Sequence, residues 1–281
     1  MMQVLQCLKG EQIPLLYVYS DGAKGDEDQR HVAEVREILK AIDWCKTIIV
    51  ERDVNYGLGR SIVSGVNDVL ASHDSAIVFE DDLICVPGTY KYLSAALDHY
   101  SDYEEVMSVT GWTHPRVIPR GVGDQPYWDG RAECWVWGTW ARAWKGMEQS
   151  ASALIAQCER EGLDPYEYGA DLPSMAAMEA RRNIWAVKFL YLHMIRKGLC
   201  LRPPWSMVEH IGFDVTATNA PDVALRNPPL KPCPPLPAMW PEPREHRGMR
   251  SIWQKEYGGR PSRIASLRRL CARCLRQLYK R

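Results

Sequence analysis

Ala76-Ile77-Val78-Phe79-Glu80-Asp81-Asp82-Leu83 reads as a short apolar strand running directly into three adjacent carboxylates. Two earlier segments repeat the pattern of an apolar run followed by a polar turn. Leu15–Tyr19 leads into Ser20-Asp21-Gly22, and Thr47–Val50 leads through Glu51 into Arg52-Asp53-Val54-Asn55-Tyr56-Gly57. Between the runs lie segments of helical period, Asp28–Ile42 and Arg60–Leu70. This alternation predicts βαβ units and an α/β class with a mostly parallel, Rossmann-like sheet flanked by helices. Ligands of such sheets sit beyond the carboxyl ends of the strands, so the three turns are expected on one rim.

Further along, Gly111 to Trp144 is rich in glycine and aromatic rings, among them Trp112, Tyr127, Trp128, Trp135, Trp137, Trp140 and Trp144. A helical segment is predicted around Ser174–Lys197, then a short strand at Leu199–Arg202. Nine prolines between Pro221 and Pro243 exclude a helix or central strand there and predict a polyproline-like strap. Ile264, Leu267, Cys271, Cys274 and Leu278 mark one face of a basic helix. The expected organisation is an α/β domain over 1–220, a Pro-rich strap over 221–250 and a basic amphipathic helix over 251–281.

A chain of 281 residues, 46% hydrophobic, suits one substantial core better than two full domains. Its formal charge is zero, so no global field recruits nucleic acid, and none is expected as a partner. The charge is unevenly placed: residues 263–281 hold seven cations and no acid, which leaves the rest of the chain acidic. The nine cysteines are odd in number and lack the spacing of a disulfide framework, which points to reduced, mostly buried thiols in the cytosol. Only Cys271 and Cys274 form a CxxC, without a second ligand pair at zinc spacing nearby. The start lacks a signal-peptide core, and no apolar run approaches the ~20 residues of a membrane span.

The chemistry of the acidic triplet has two readings. A nucleoside diphosphate becomes a good leaving group when a divalent cation, held by one or two carboxylates, neutralises it. Three carboxylates at the end of a buried strand supply such a site, because like charges that close together call for a cation or hydrogen bonds. The plainer reading is a solvated acidic turn.

Five segments, in order, resemble one family. They are Tyr17–Gly22, Glu51–Ile62, Val78–Leu83, the tryptophan-rich Cys134–Trp140 and His210–Asp214. The family is the bacterial glycosyltransferases of GT-A fold that act in surface-polysaccharide assembly, distantly similar to Golgi N-acetylglucosaminyltransferases with a Glu-Asp-Asp motif. The resemblance spans residues 15–220. It implies a metal-dependent, inverting transfer of a sugar from a nucleotide-sugar, a UDP-sugar being favoured, to a glycan or lipid-linked acceptor, with Mn²⁺ or Mg²⁺ as cofactor. It also implies that Asp21 lies near the base or ribose and that the Asn55–Arg60 loop wraps the nucleotide. Gly57 and Gly59 suit close approach of backbone to a ligand, or simply a strand-to-helix turn. Asp82 is the implied direct metal ligand, with Glu80 and Asp81 holding the ribose or ordering the motif. Arg60 meets a phosphate or caps a solvated helix face. His210 completes the metal or phosphate site or is a structural histidine. Trp135 and Trp137 are candidate sugar platforms, against the alternative that these rings are core anchors.

The chain departs from the family pattern at two places. The carboxylate that should deprotonate the acceptor is expected just before a helical tryptophan, where this chain has Asn183-Ile184-Trp185. An amide accepts no proton at neutral pH, so Asn183 is left as a positioning group and Glu179, about one helical turn away, is the preferred base, with Asp171 and Asp129 as substitutes. Secondly, Leu15–Tyr19 matches the family's second strand and Met1–Gly10 the preceding helix, so the first strand is expected to be lacking. A non-catalytic carbohydrate-binding protein and a sugar-phosphate nucleotidyltransferase are the rival readings; the latter usually opens with a glycine-rich phosphate loop, which this sequence does not have.

The tail predicts a location. Its apolar residues recur at three- and four-residue spacing among cations without acidic partners, as in a helix lying on an anionic membrane surface. The protein is therefore expected in the cytoplasm, peripheral on the inner face of the plasma membrane. The alternative is a helix docked on the acidic body. In liposome sedimentation, the full chain should bind anionic vesicles and a chain ending at Ser262 should not. Equal binding by both, or by neither, rejects a membrane role for the tail.

Overall fold

A computed structural model describes residues 1–182, 184–211 and 230–260. The predicted roles of Asn183, of Gly212–Asp214, of the strap over 221–229 and of the basic C-terminal helix fall outside these residues. The first third follows the expected alternation: α1 (Met2–Lys9), β1 (Leu15–Ser20), α2 (Asp26–Lys40), β2 (Lys46–Glu51), α3 (Leu58–Leu70) and β3 (Ser75–Val78). β1 and β2 pair in parallel, from Leu15 opposite Lys46 to Ser20 opposite Glu51. α2 opens with Asp26, Glu27 and Asp28 and closes with Lys40, a charge order that complements the helix dipole.

After β3 come β4 (Leu83–Cys85), α4 (Thr89–His99), β5 (Val106–Thr110), β6 (Tyr127–Asp129), β7 (Trp137–Trp140) and α5 (Ala141–Trp144). The chain continues through α6 (Ala151–Arg160), α7 (Asp171–Ala176), α8 (Glu179–Arg182), α9 (Ala186–Arg196), β8 (Leu199–Arg202), β9 (Val208–His210) and α10 (Met249–Tyr257). Five strands form one sheet in the order β3-β7-β5-β8-β6. This sheet is mixed, not mostly parallel: β5 and β8 are parallel, while β7 runs against both β3 and β5, and β6 runs against β8. The reversal comes from the tryptophan-rich segment, which returns as a central strand between β3 and β5. The expected helix over Ser174–Lys197 is divided among α7, α8 and α9.

Both faces of the sheet are covered. Trp137 joins a cluster with Trp144 of α5, Leu154 of α6, Phe189 of α9 and Trp185 just before α9, whereas Trp140 joins Val4, Leu8, Tyr92 and Leu93 from α1 and α4. Three residues apart on a strand, the two rings necessarily point to opposite faces. No helix among the described residues is long and apolar enough to cross a membrane.

A buried ion pair fastens the strap-side helix to this sheet. Arg202, fully buried at the end of β8, lies 2.8 Å through Nε from Asp129 Oδ2 at the end of β6, and Trp253 of α10 donates its indole N–H to the same oxygen at 2.9 Å. Arg202 also donates to the carbonyl oxygens of Arg131 and Ala132, at 2.8 and 3.3 Å, and pairs with Glu133 at 3.3 Å. Position 251 lies inside α10, which docks on the body through Met249 and Trp253. Replacing Arg202 with Met should strand the Asp129 carboxylate and cost about 3–5 kcal/mol, with part of the loss recovered in an Arg202→Met, Asp129→Asn double variant. Thermal and chemical unfolding read both effects, and an unchanged Arg202→Met midpoint contradicts the assignment.

Candidate functional site

The turn after β1 and the turn after β2 are tied together by a single carboxylate. Asp21 accepts hydrogen bonds from the backbone N–H of Tyr56, at 3.0 and 2.9 Å to its two oxygens, and of Gly57 at 2.9 Å. Asn55 donates to the Gly22 carbonyl oxygen at 2.8 Å. Gly22 permits the approach, since a Cβ there would stand 2.6 Å from the Val54 carbonyl carbon. Gly57, at φ 69°, turns the chain into α3 in a conformation that favours glycine.

Arg52 is the hub beneath this loop. It is buried, lies 3.6 Å from Asp21, and donates to the Ser61 and Ser64 hydroxyls at 2.5 and 2.7 Å. The Tyr56 ring lies between two guanidinium groups, Arg52 at 4.4 Å and the exposed Arg60 at 3.9 Å. Asp21 and Asn55 thus shape the loop rather than standing bare before a ligand. The sequence reading missed Arg52, whose signal was an arginine directly after an apolar strand and between two acids.

The acidic triplet occupies the turn from β3 to β4. β9 pairs antiparallel with β4, setting Leu83 opposite His210, and the Ile211 N–H donates to the Asp82 carbonyl oxygen at 2.9 Å. His210 Nε2 consequently stands 3.3 Å from Asp82 Oδ2. The Trp135 ring lies 4.5 Å from the His210 ring and 4.4 Å from Trp112. Burial pushes the Glu80 carboxyl up to about 8, with further push from Asp82 and Asp81. Burial also raises Asp82, against the pull of His210, and lowers His210, against the pull of Asp82. Burial thus favours the neutral form of both partners. Asp82 Oδ1 is buried without a hydrogen-bond partner.

This donor set fits a divalent cation. A buried carboxylate oxygen without a donor and an imidazole nitrogen beside its carboxylate are both groups that positive charge satisfies. Among the described residues no three His, Cys, Asp or Glu side chains gather into a metal-holding group, so Asp82 and His210 would hold only part of a coordination shell, leaving the rest to ligand and water.

The remaining candidates lie elsewhere. Glu179, at the start of α8, accepts from the Ala151 N–H at 3.3 Å and lines a cleft of about 330 Å³ with Gly59, Arg60, Trp185 and Lys188. Neither Glu80, Asp81 nor Asp82 lines that cleft. Asp171 is held by Arg131 in a two-pronged pair at 2.6 and 3.0 Å, and Asp129 by Arg202, so both substitute bases are committed to structural pairs. Trp137 is not a sugar platform: it is fully buried against Trp144, Trp185 and Phe189, because its strand is central and covered on both faces. Trp135, only partly buried, packs against His210, the residue that stands beside Asp82.

No protein-family model and no curated protein matches this chain. Its functional reading rests on the site geometry and on motif resemblance.

The raised Glu80 carboxyl makes stability depend on pH. An unfolded glutamate loses its proton near ~4.3, whereas Glu80 keeps its own to about 8, so the folded metal-free protein binds the extra proton between these values. Stability falls through this group as pH rises from about 5 to 8. A Glu80→Gln variant should therefore gain about 1–3 kcal/mol over wild type at pH 8.5, after discounting for solvent screening, and little at pH 5. Chemical denaturation across this range measures the difference, and an advantage independent of pH contradicts the assignment.

Proposed function

We propose that this chain is a metal-dependent glycosyltransferase with a GT-A-like arrangement, moving a sugar from a nucleoside-diphosphate sugar to a glycan or lipid-linked acceptor. The observation that carries the reading is the acidic turn after β3, where one Asp82 oxygen is buried without a hydrogen-bond partner, the other stands 3.3 Å from His210 Nε2, and the Trp135 ring packs on that imidazole. A second feature supports it: the β2–α3 loop, held rigid by Asp21 and Arg52, offers exposed Arg60 at the start of a thirteen-residue helix. A helix N-terminus with a guanidinium beside it suits phosphate oxygens.

In this reading Asp82 and His210 hold the cation, and Asp81, exposed on the turn, meets the donor's ribose. Glu80, protonated in the absence of metal, orders the turn. The bound Mn²⁺ or Mg²⁺ supplies charge neutralisation for the departing diphosphate. Trp135 gives the donor sugar an apolar face to rest on. Glu179 is the proposed base, because it shares a cleft with Arg60, and Asn183 would orient the acceptor. A UDP-sugar is the favoured donor, inversion the favoured outcome, and the cytoplasmic face of a membrane the favoured location, all three by resemblance.

Asp82→Asn should lower Mn²⁺-dependent turnover of the preferred nucleotide-sugar by about 10²-fold or more while leaving the fold intact. Proton NMR of the first-formed wild-type product should show an inverted anomeric centre. An Asp82→Asn enzyme with normal turnover and unchanged Mn²⁺ dependence rejects the metal assignment, and a retained configuration rejects inversion.

A further inference from the structure

The proline-rich stretch before α10 is fastened to the body at both ends. Lys231 donates its N–H to the Ser206 carbonyl oxygen at 2.9 Å, its ammonium group reaches Asp124 at 2.6 Å, and the Cys233 N–H reaches the Pro87 carbonyl oxygen at 2.6 Å. Gly88 permits this approach, since a Cβ there would stand 3.1 Å from Cys233 Cα. At the far end the Pro241 carbonyl oxygen accepts from Tyr100 Oη at 2.7 Å and from Trp128 Nε1 at 3.2 Å, and the Trp240 ring lies 5.5 Å from that of Tyr92.

Between the fastenings, Pro234-Pro235-Leu236-Pro237 leaves the backbone little choice. Each proline fixes its own φ, and Pro235 and Pro237 hold the residues before them, Pro234 and Leu236, in the extended region. The outcome is a turn of polyproline II helix, which repeats about every three residues and makes no internal hydrogen bonds. Burial follows that period: every third residue from Lys231 to Trp240 is buried or partly so, and the six residues between them are exposed. These six, Pro232, Cys233, Pro235, Leu236, Ala238 and Met239, carry no charge. Leu236 is 40% exposed and Met239 84%, more than any other large apolar side chain among the described residues. No hydrogen bond among the described residues reaches the carbonyl oxygens of residues 234–239.

The strap thus offers solvent two apolar faces and a row of unpaired acceptors. The complementary surface is a groove of aromatic rings whose indole N–H and phenol O–H groups donate to those carbonyls. Because the strap is held extended at both ends, little further ordering opposes binding. A lipid surface is a poorer match, since hydrocarbon brings no donors to the carbonyls. A second copy of this chain does not supply the groove either, because Tyr257 is the only Tyr, Trp or Phe well exposed among the described residues.

We propose that residues 234–239 are a docking ridge for a partner protein that reads polyproline II helix through an aromatic-lined groove. The ridge stands on its own residues and does not depend on the sugar-transfer reading.

The probes are isolated WW domains, whose grooves read proline through aromatic rings. A panel of them, isotope-labelled, is titrated with the full chain while amide NMR shifts are followed. At least one domain should shift at its groove, and Leu236→Asp and Met239→Asp should each weaken that binding about tenfold or more. Both side chains are exposed, so the unfolding midpoint should stay where it is in either variant. No shift in any domain, or shifts that neither variant weakens, would overturn the proposal. So would a wild-type dimer that Leu236→Asp dissociates, or sedimentation with neutral phosphatidylcholine vesicles that the same variant abolishes, since these outcomes give the ridge to a second copy or to a lipid surface.

Discussion

Arg202 carries a full positive charge where no water reaches it, and such a charge is tolerated only when its surroundings answer it. Glu133 and the carbonyl oxygens of Arg131 and Ala132 accept from its terminal nitrogens, and the Asp129 carboxylate stands 2.8 Å from Nε as an ion pair, although Nε makes no well-aligned hydrogen bond there. These contacts fix the ends of β6 and β8 relative to each other. They also fix the two stretches of chain that leave that point for the acidic turn. From residues 131–133 the chain continues to Trp135, and from Arg202 it continues through Pro203 to β9 and His210. Trp135 and His210, at the ends of these two stretches, meet at 4.5 Å, with His210 placed by the pairing of β9 on β4.

The other side of the proposed site is held by a different economy of polar groups. Asp21 satisfies two backbone N–H groups just before α3, and Arg52 cross-links that loop to Ser61 and Ser64 on the helix. Donors and acceptors already paired cost nothing further when a ligand arrives, so the Tyr56–Arg60 corner is preorganised. The acidic turn is the reverse case, with a buried oxygen left unanswered and a carboxyl that retains its proton to about pH 8. Such an imbalance is costly in the bare protein, and a cation at the turn, as proposed, would relieve it.

Much of the first third was legible in the sequence. Leu15–Tyr19, Thr47–Val50 and Ala76–Phe79 differ from β1, β2 and β3 by a residue or so at either end, because apolar runs bounded by polar turns have few alternatives. Leu199–Arg202 coincides with β8. The direction of the central sheet was not legible. β7 is Trp137-Gly138-Thr139-Trp140, whose rings report burial on either face but not which neighbour the strand will choose. The same long-range pairing separated Trp137, sealed in the core, from Trp135 beside His210, two residues apart in the chain. Asp129 and Asp171 looked like spare carboxylates until Arg202 and Arg131 arrived from segments tens of residues away. The pairing of Asp82 with His210 depends on the register of β4 and β9, which no local pattern encodes.

If the acidic turn holds a divalent cation and a nucleoside diphosphate together, as proposed, calorimetric titration of the full chain with UDP shows it directly. The expected result is UDP binding in Mn²⁺, its loss in chelator, and a Mn²⁺ affinity raised by UDP by the same factor as UDP affinity is raised by Mn²⁺. UDP binding of equal strength with and without the metal, or heatless titrations of both ligands at all temperatures tried, would contradict it.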